Sequence, residues 1–288
     1  MIKPIASLEQ YHHDYYQSLN DPESFWSDVA SNFIWRKRWD KINSGNFTDV
    51  NFKWFEGAQL NITVNCLDRY AAHHPHNVAI IWEPNNPDQP SEKITYEVLH
   101  ARVCRFANAL IKLGVQKGDV VCIYMPMIPQ LAIAMLACAR IGAVHNIVFG
   151  GFSAQSIADR IQDANCKWVI TADGNYRGDK PLHLKKIMDD ALANCPSVKK
   201  CVVFNHSNFE ITMQPDRDVM WTEIIKGVSQ KHEADAMDPE DPLFILYTSG
   251  STGKPKGVLH TTAGYMVWAA YTFVNVFQYK PGDVFWCT

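Results

Sequence analysis

The sequence predicts an α/β fold in which a doubly wound, mainly parallel sheet is flanked by helices. From about Asn61 onward, short apolar segments alternate with longer segments that have the helical period. Capping residues, prolines and glycines stand where these helices should begin and end. With 288 residues, 47% of them hydrophobic, the chain is long and apolar enough to bury one core or two adjoining cores.

The first part of this pattern runs from Thr95 to residue 141. Thr95 is expected to cap a helix that ends at Gly114, and residues 120–124 follow as a strand. Pro129 can begin the next helix, because its missing N–H group would have no intrahelical acceptor there. This helix should reach residue 141, and together these segments form a helix–strand–helix unit.

The second part continues the alternation. Strands are expected at residues 143–149, 167–171 and 201–204, and helices at residues 154–164, capped by Ser153, and 184–193. Residues 205–242 are polar and predict an irregular excursion before strands at 243–247 and 258–260. A last strand is expected to begin after the turn at residues 281–282.

Residues 1–60 differ from the rest, because they are rich in Trp, Phe and Tyr but have no long regular period. We interpret them as a helical and loop extension that covers a larger domain at residues 61–288 with aromatic side chains. No site is predicted in the extension.

Composition excludes several classes of protein. A net charge of −3 and a pI near 6.4 argue against binding nucleic acid through a basic field. No apolar run approaches the roughly 20 residues of a membrane helix, and no signal peptide is visible. The eight cysteines and the histidines lack metal-ligand spacing, so we expect no metal site, buried thiols and a cytoplasmic protein.

The most informative motif follows the strand predicted at residues 243–247. It is rich in glycines, hydroxyls and lysines, which suit an oligophosphate because backbone N–H groups, hydroxyls and positive charge can all approach its oxygens. The predicted phosphate-binding residues are Thr248, Ser249, Gly250, Ser251, Thr252, Gly253, Lys254 and Lys256. Pro255 stands where a Walker A loop has a Mg²⁺-binding hydroxyl, so a strand-to-strand turn is expected. A solvated linker is the alternative for such a turn taken alone.

Residues 247–257 fit the signature Y-T-S-G-[ST]-T-G-x-P-K-G, and on this basis the chain resembles the adenylate-forming family of acyl-CoA synthetases. Within that family it resembles the acetyl-CoA synthetases over nearly its whole length. The further segments that carry the resemblance are Trp54-Phe55-Glu56, Asn65-Cys66-Leu67-Asp68-Arg69, Val148-Phe149-Gly150-Gly151-Phe152-Ser153, Ile170-Thr171-Ala172-Asp173 and Gly257-Val258-Leu259-His260-Thr261-Thr262.

This resemblance implies that the loop holds the β- and γ-phosphates of Mg²⁺-bound ATP while acetate attacks the α-phosphorus. It also implies that Arg177-Gly178-Asp179-Lys180 binds the 3′-phosphate of CoA, although Lys180 replaces the second arginine of the family's R-x-x-R pattern. Gly150 and Gly151 correspond to a place where the pantetheine arm passes close to the backbone. The alternatives are a solvated charged loop for the first segment and a plain strand-end turn for the second.

The family's chain continues well beyond the point corresponding to residue 288. We therefore expect an incomplete AMP-binding domain, no catalytic residue within these 288 residues, and no activity for them alone. Two alternatives to an acetate–CoA ligase stay open at this point. One is a propionyl-CoA synthetase or another short-chain relative, and the other is a non-catalytic module that binds a nucleotide or CoA.

Overall fold

The computed structural model describes residues 2–248 and 255–286, which form two compact units. The described part of the first unit comprises residues 2–65, 236–241 and 261–286. The second comprises residues 66–235, 242–248 and 255–260, and it contains the main sheet.

The elements follow one another along the chain with short connections. The helices are α1 (Leu8–Asn20), α2 (Pro22–Ala30), α3 (Arg69–His73), α4 (Tyr96–Lys112), α5 (Pro129–Arg140), α6 (Ala154–Asp163), α7 (Leu184–Leu192), α8 (Trp221–Ile224) and α9 (Thr262–Asn275). The strands are β1 (Lys41–Asn46), β2 (Asn51–Glu56), β3 (Val78–Trp82), β4 (Glu92–Thr95), β5 (Val120–Tyr124), β6 (Val144–Ile147), β7 (Trp168–Ala172), β8 (Asn175–Arg177), β9 (Lys180–Leu182), β10 (Lys200–Phe204), β11 (Asp218–Met220), β12 (Pro242–Thr248) and β13 (Lys256–Thr261).

The second unit is built on a seven-stranded sheet in the order β11-β10-β7-β5-β6-β12-β13. The pairings from β11 through to β12 are parallel, with β5 pairing with both β6 and β7. The predicted α/β class with a mainly parallel sheet is therefore confirmed.

Helices cover both faces of this sheet. Val121 and Ile123 of β5 lie in one buried cluster with α4 and α5, whereas Cys122 and Tyr124 lie in a second cluster with α6 and α7. Successive side chains of a strand point to opposite faces, so a strand buried on both sides must be apolar throughout. This requirement explains the continuous apolar run of β5.

Most of the predicted elements in this unit are confirmed within one or two residues. Thr95 caps α4 by accepting a hydrogen bond from the Val98 N–H group, and Ser153 caps α6 in the same way with Ser156. Pro129 begins α5, as predicted.

Four interpretations need correction. The N-terminal extension contains the antiparallel pair β1 and β2, which the sequence analysis treated as loops. The excursion at residues 205–242 includes β11, which pairs with β10 at the edge of the sheet. Both were missed because strands of three to six residues are too short to show a clear period. Cys66 is exposed, since it lies on a π-helical turn whose Leu67 faces the core instead.

The strand expected after the turn at residues 281–282 is absent from the described residues, so that prediction was wrong. Residues 281–286 form a turn followed by irregular backbone. The Phe285 ring packs edge-on against that of Phe273, with 5.1 Å between centroids. The apolar side chain of Phe285 therefore packs against another ring and does not belong to a strand. Among the described residues, none of the helices has the length and apolarity to cross a bilayer.

A buried ion pair stabilises the second unit at the end of α5. Arg140 is 2% exposed and donates hydrogen bonds from Nη1 and Nη2 to Asp68, at 2.7 and 3.1 Å, and from Nε to the His232 carbonyl oxygen at 3.0 Å. His100 Nε2 lies 3.3 Å from the same carboxylate. The hydrogen bond with Asp68 raises the pKa of His100 to about 9, so His100 is a cation at neutral pH.

We predict that the free energy of unfolding falls as the pH rises from 6.5 towards 9. The folded pKa of His100, about 9, lies above its ordinary value of 6.5, so its stabilising effect is complete below 6.5 and is lost as the pH passes 9. Urea unfolding at pH 6, 7.5 and 9 measures this change. In the variant His100→Gln, the free energy of unfolding should decrease less between pH 6 and pH 9 than it does in the wild-type protein. An equal decrease in the two proteins would contradict the assignment to His100.

Candidate ligand-binding edge of the sheet

The predicted ligand-binding segments follow the carboxyl ends of neighbouring parallel strands. Phe244 of β12 pairs with His145 of β6, and Ile245 pairs with Asn146, so the two strands run side by side towards the same edge. β12 ends at Thr248, and β6 ends at Ile147, three residues before Gly150. Ligands of open α/β sheets bind at this edge.

The predicted phosphate-binding segment joins two neighbouring strands of the sheet. Thr248 is the exposed last residue of β12, and Lys256 is the exposed first residue of β13. The two flanking strands agree with the predicted strand-to-strand turn. Ser249, Gly250, Ser251, Thr252, Gly253 and Lys254 lie outside the described residues.

Tyr247, which immediately precedes Thr248, is anchored to α6. Its hydroxyl donates a 2.6 Å hydrogen bond to Asp163 Oδ2, and the Arg160 guanidinium lies 5.3 Å from the ring centroid. Burial, together with the hydrogen bond to Asp163, raises the pKa of Tyr247, so the hydroxyl stays protonated and donating. These contacts fix the backbone from which the predicted phosphate loop begins.

Gly257 of the neighbouring strand β13 packs closely against this tyrosine. A Cβ atom at Gly257 would lie 3.1 Å from the Ile245 Cγ2 atom and 3.2 Å from Tyr247 Cζ. The absence of a side chain at Gly257 therefore allows the ring to lie against β13.

The sequence analysis missed Arg160 and Asp163 as contributors to the site. They are three residues apart on α6 and therefore share one face of the helix. The sequence did offer one signal, because Arg160 falls on the apolar side of an amphipathic helix, where a cation needs a partner. The structure shows that Arg160 is only 7% exposed.

The glycine pair after β6 lies against the end of β5. A Cβ atom at Gly150 would be 3.2 Å from the Met125 carbonyl oxygen, and one at Gly151 would be 2.9 Å from Phe149 Cε1. Close packing against backbone thus favours glycine at position 150, whereas the ring beside Gly151 is exposed and can move aside. The same lack of side chains leaves backbone open at the ligand-binding edge, so the predicted CoA contact stays a prediction.

The predicted CoA-phosphate segment is a β-hairpin. Arg177 of β8 pairs with Lys180 of β9, and Gly178 and Asp179 form the two-residue turn between them. Gly178 has a φ of +59°, which glycine adopts without strain. The Asn85 Nδ2 group donates a 3.1 Å hydrogen bond to the Gly178 carbonyl oxygen.

This hairpin holds two exposed cations next to each other. Residues directly opposite in an antiparallel pair have Cβ atoms about 5 Å apart on the same face, and like charges there repel. Arg177 and Lys180 are such a pair. An anion placed between them would relieve the repulsion, and the arrangement therefore suits a phosphate group.

The hairpin is attached to the sheet through Asp173, which follows β7 directly. The Asp173 side chain is buried and accepts hydrogen bonds from the N–H groups of His206, Ser207 and Phe209, at 2.7, 3.0 and 2.8 Å. The neighbouring Gly174 lies so close to the Phe209 ring that an added Cβ atom would be 2.1 Å from Cδ2. The ends of β7 and β10 therefore fix the base of the hairpin.

Within residues 2–248 and 255–286, there is no group of three or more His, Cys, Asp or Glu side chains that could hold a metal ion.

Two family models match the chain. The model described as "AMP-binding enzyme" matches residues 67–288, and the model described as "Acetyl-coenzyme A synthetase N-terminus" matches residues 11–66. The first covers well over half of the chain.

Curated relatives agree with these matches. An acetyl-coenzyme A synthetase of Syntrophobacter fumaroxidans is 54% identical over 281 residues, which are 97% of this chain and 43% of the relative. The acetyl-coenzyme A synthetase of Escherichia coli K12 is 50% identical over 288 residues, 99% of this chain and 44% of the relative. The chain thus spans less than half the length of these relatives, and the resemblance inferred from its motifs is confirmed.

A solved structure supports the fold. The acetoacetyl-CoA synthetase from Streptomyces lividans superposes with a TM-score of 0.87 and is 25% identical, over 97% of this chain and 42% of that structure.

We predict that Gly174→Ala destabilises the second unit by about 1–3 kcal/mol, because the new methyl group overlaps the Phe209 ring and forces the hairpin base apart. Urea unfolding measures the loss. Gly264→Ala is a matched control, since a Cβ atom there meets nothing within 4 Å and the position is inside α9. The control should be neutral or stabilising by up to about 1 kcal/mol, and equal losses in both variants would contradict the steric explanation.

Proposed function

Because this chain belongs to the AMP-binding enzyme family, we propose that it is the part of an AMP-forming acetate–CoA ligase that binds ATP phosphates and CoA. One observation carries the proposal. The phosphate-binding segment follows β12, the glycine pair follows β6 and the cationic hairpin follows β7, so all three lie at the carboxyl edge of one parallel sheet.

The proposed reaction has two halves. An acetate oxygen attacks the α-phosphorus of ATP, which forms acetyl-AMP and releases pyrophosphate. The CoA thiol then attacks the acetyl carbonyl carbon, loses its proton and displaces AMP, which gives acetyl-CoA. ATP enters as its Mg²⁺ complex, so the metal belongs to the substrate.

The loop contributes electrostatic stabilisation in the first half. Backbone N–H groups and hydroxyls from Thr248 to Thr252, with Lys254 and Lys256, would hold the β- and γ-phosphates as negative charge accumulates on the leaving pyrophosphate. Thr248 and Lys256 support this role through their exposed positions at the two ends of the segment. No residue of the loop forms a covalent bond in this scheme.

The hairpin serves the second half. The paired cations Arg177 and Lys180 would hold the 3′-phosphate of CoA, while Gly150 and Gly151 leave room for the pantetheine arm. Lysine is a point charge rather than a planar fork, so Arg177 should supply the more directional contact.

Two other functions are separated by the same assays. A propionyl-CoA synthetase would prefer propionate to acetate in the exchange reaction. A non-catalytic binding module would bind ATP or CoA but exchange no pyrophosphate. The high identity to acetyl-coenzyme A synthetases favours acetate, and a cytoplasmic location is proposed with it.

The first test is acetate-dependent exchange of pyrophosphate into ATP, measured on the complete protein that contains this chain. We expect Lys254→Ala to lower the exchange rate by about 10²–10³-fold, the usual cost of removing one preorganised donor from a developing charge. The control is Lys93→Ala, an exposed lysine on β4. Wild-type protein without exchange, or equal losses in the two variants, would refute the proposed role of the loop.

The second test separates the CoA phosphate from the rest of CoA. Arg177→Ala should raise the KM for CoA about tenfold, within the range for loss of one charge-assisted hydrogen bond at an exposed site. It should leave the KM for 3′-dephospho-CoA unchanged, because that substrate lacks the phosphate. Lys186→Ala, an exposed lysine on α7, is the control. Equal effects of Arg177→Ala on both substrates would exclude the phosphate contact.

A further inference from the structure

Arg160 lies between the two segments that are proposed to bind ATP and CoA. Its guanidinium carbon is 4.7 Å from the Phe152 ring centroid and 5.3 Å from the Tyr247 ring centroid. Phe152 immediately follows the glycine pair, and Tyr247 immediately precedes the phosphate segment. One side chain thus contacts a residue adjoining each proposed binding segment.

The position of this guanidinium is set by its own helix. Arg160 Nη1 donates hydrogen bonds to the carbonyl oxygen and the hydroxyl of Ser156, at 2.6 and 2.8 Å. Ser156 is held in turn by the Ser153 cap at the start of α6. The cation is therefore fixed by the first turn of α6 rather than by either aromatic ring.

Each of the two aromatic residues also has a hydrogen bond that does not involve the Arg160 guanidinium. The Tyr124 hydroxyl donates a 3.1 Å hydrogen bond to the Phe152 carbonyl oxygen. The Tyr247 hydroxyl donates to Asp163, one turn further along α6. Substitutions can therefore disturb one segment while leaving the other in contact with Arg160.

We propose that Arg160 is a positioning residue that sets the geometry of both binding segments at once, through cation–π contacts with Phe152 and Tyr247. It touches neither ligand in this scheme and acts through the residues beside the glycine pair and the phosphate loop. The planar, weakly hydrated guanidinium suits this role, because it can lie against aromatic rings where an ammonium group retains its water. The proposal rests on the function proposed above.

The experiment compares three variants of the complete protein in two assays, pyrophosphate exchange for the KM of ATP and thioester formation for the KM of CoA. Arg160→Lys keeps the charge and should raise both KM values about three- to tenfold, in line with the loss of partly buried cation–π contacts. Tyr247→Phe keeps the ring but loses the Asp163 bond, so only the KM of ATP should rise. Phe152→Leu should raise only the KM of CoA.

The control is Arg102→Lys, a half-exposed arginine of α4 that pairs with Glu92 and contacts neither segment. It should change neither KM. If Arg160→Lys also changes neither KM, or raises only one of them, the proposal is overturned.

Hydrogen exchange provides a readout that does not depend on activity. Without ligand, Arg160→Lys should increase amide exchange in peptides covering residues 148–152 and 245–248, with other peptides unchanged. Increased exchange throughout the second unit would mean a general structural role and would overturn the proposal. If the wild-type protein exchanges no pyrophosphate, the proposed function fails, whereas the hydrogen-exchange pattern still decides the role of Arg160.

Discussion

The parallel pairing of β6 with β12 is the constraint on which the proposed site depends. Phe244 lies opposite His145 in this pairing, so the strand leading to the proposed phosphate loop runs beside the strand leading to the glycine pair. Parallel strands must be joined by long crossovers, and here the crossover from β6 to β12 includes α6, α7 and three further strands of the sheet. A shift by one residue would reverse which side chains of β12 face each core and would move the start of the loop.

Contacts with helix α6 and with the ends of β7 and β10 fix the positions of the segments that follow the strands. Arg160 and Asp163 hold the stem of the loop through Tyr247, and Asp173 holds the base of the hairpin through backbone N–H groups. Each of these groups is charged and has polar or aromatic partners, which offsets its desolvation. The exposed cations Arg177 and Lys180 are different, because they face each other across the hairpin. A negatively charged group placed between them would offset this repulsion.

Elements formed by interactions between residues close in sequence could be predicted, whereas those that depend on distant residues could not. The helices begun by Thr95 and Ser153 were predicted because their capping bonds join residues three apart in sequence. The strands β8, β9 and β11 were missed because each has three residues, too few for a period to appear. The roles of Arg160 and Asp163 were missed because their partner Tyr247 is more than 80 residues away. No local pattern connects residues at that separation.

The sequence by itself determined the α/β class, the main helices and the family, because strand and helix periods, caps and an eleven-residue signature are local properties of the chain. Only the tertiary structure decided which strands are neighbours, and hence that Thr248, the glycine pair and the cationic hairpin lie at one edge. It also decided that Arg160 lies between two aromatic rings from distant segments. Such contacts depend on strand order and on the packing of α6 against the sheet, and these are settled by burial of the whole core rather than by any one segment.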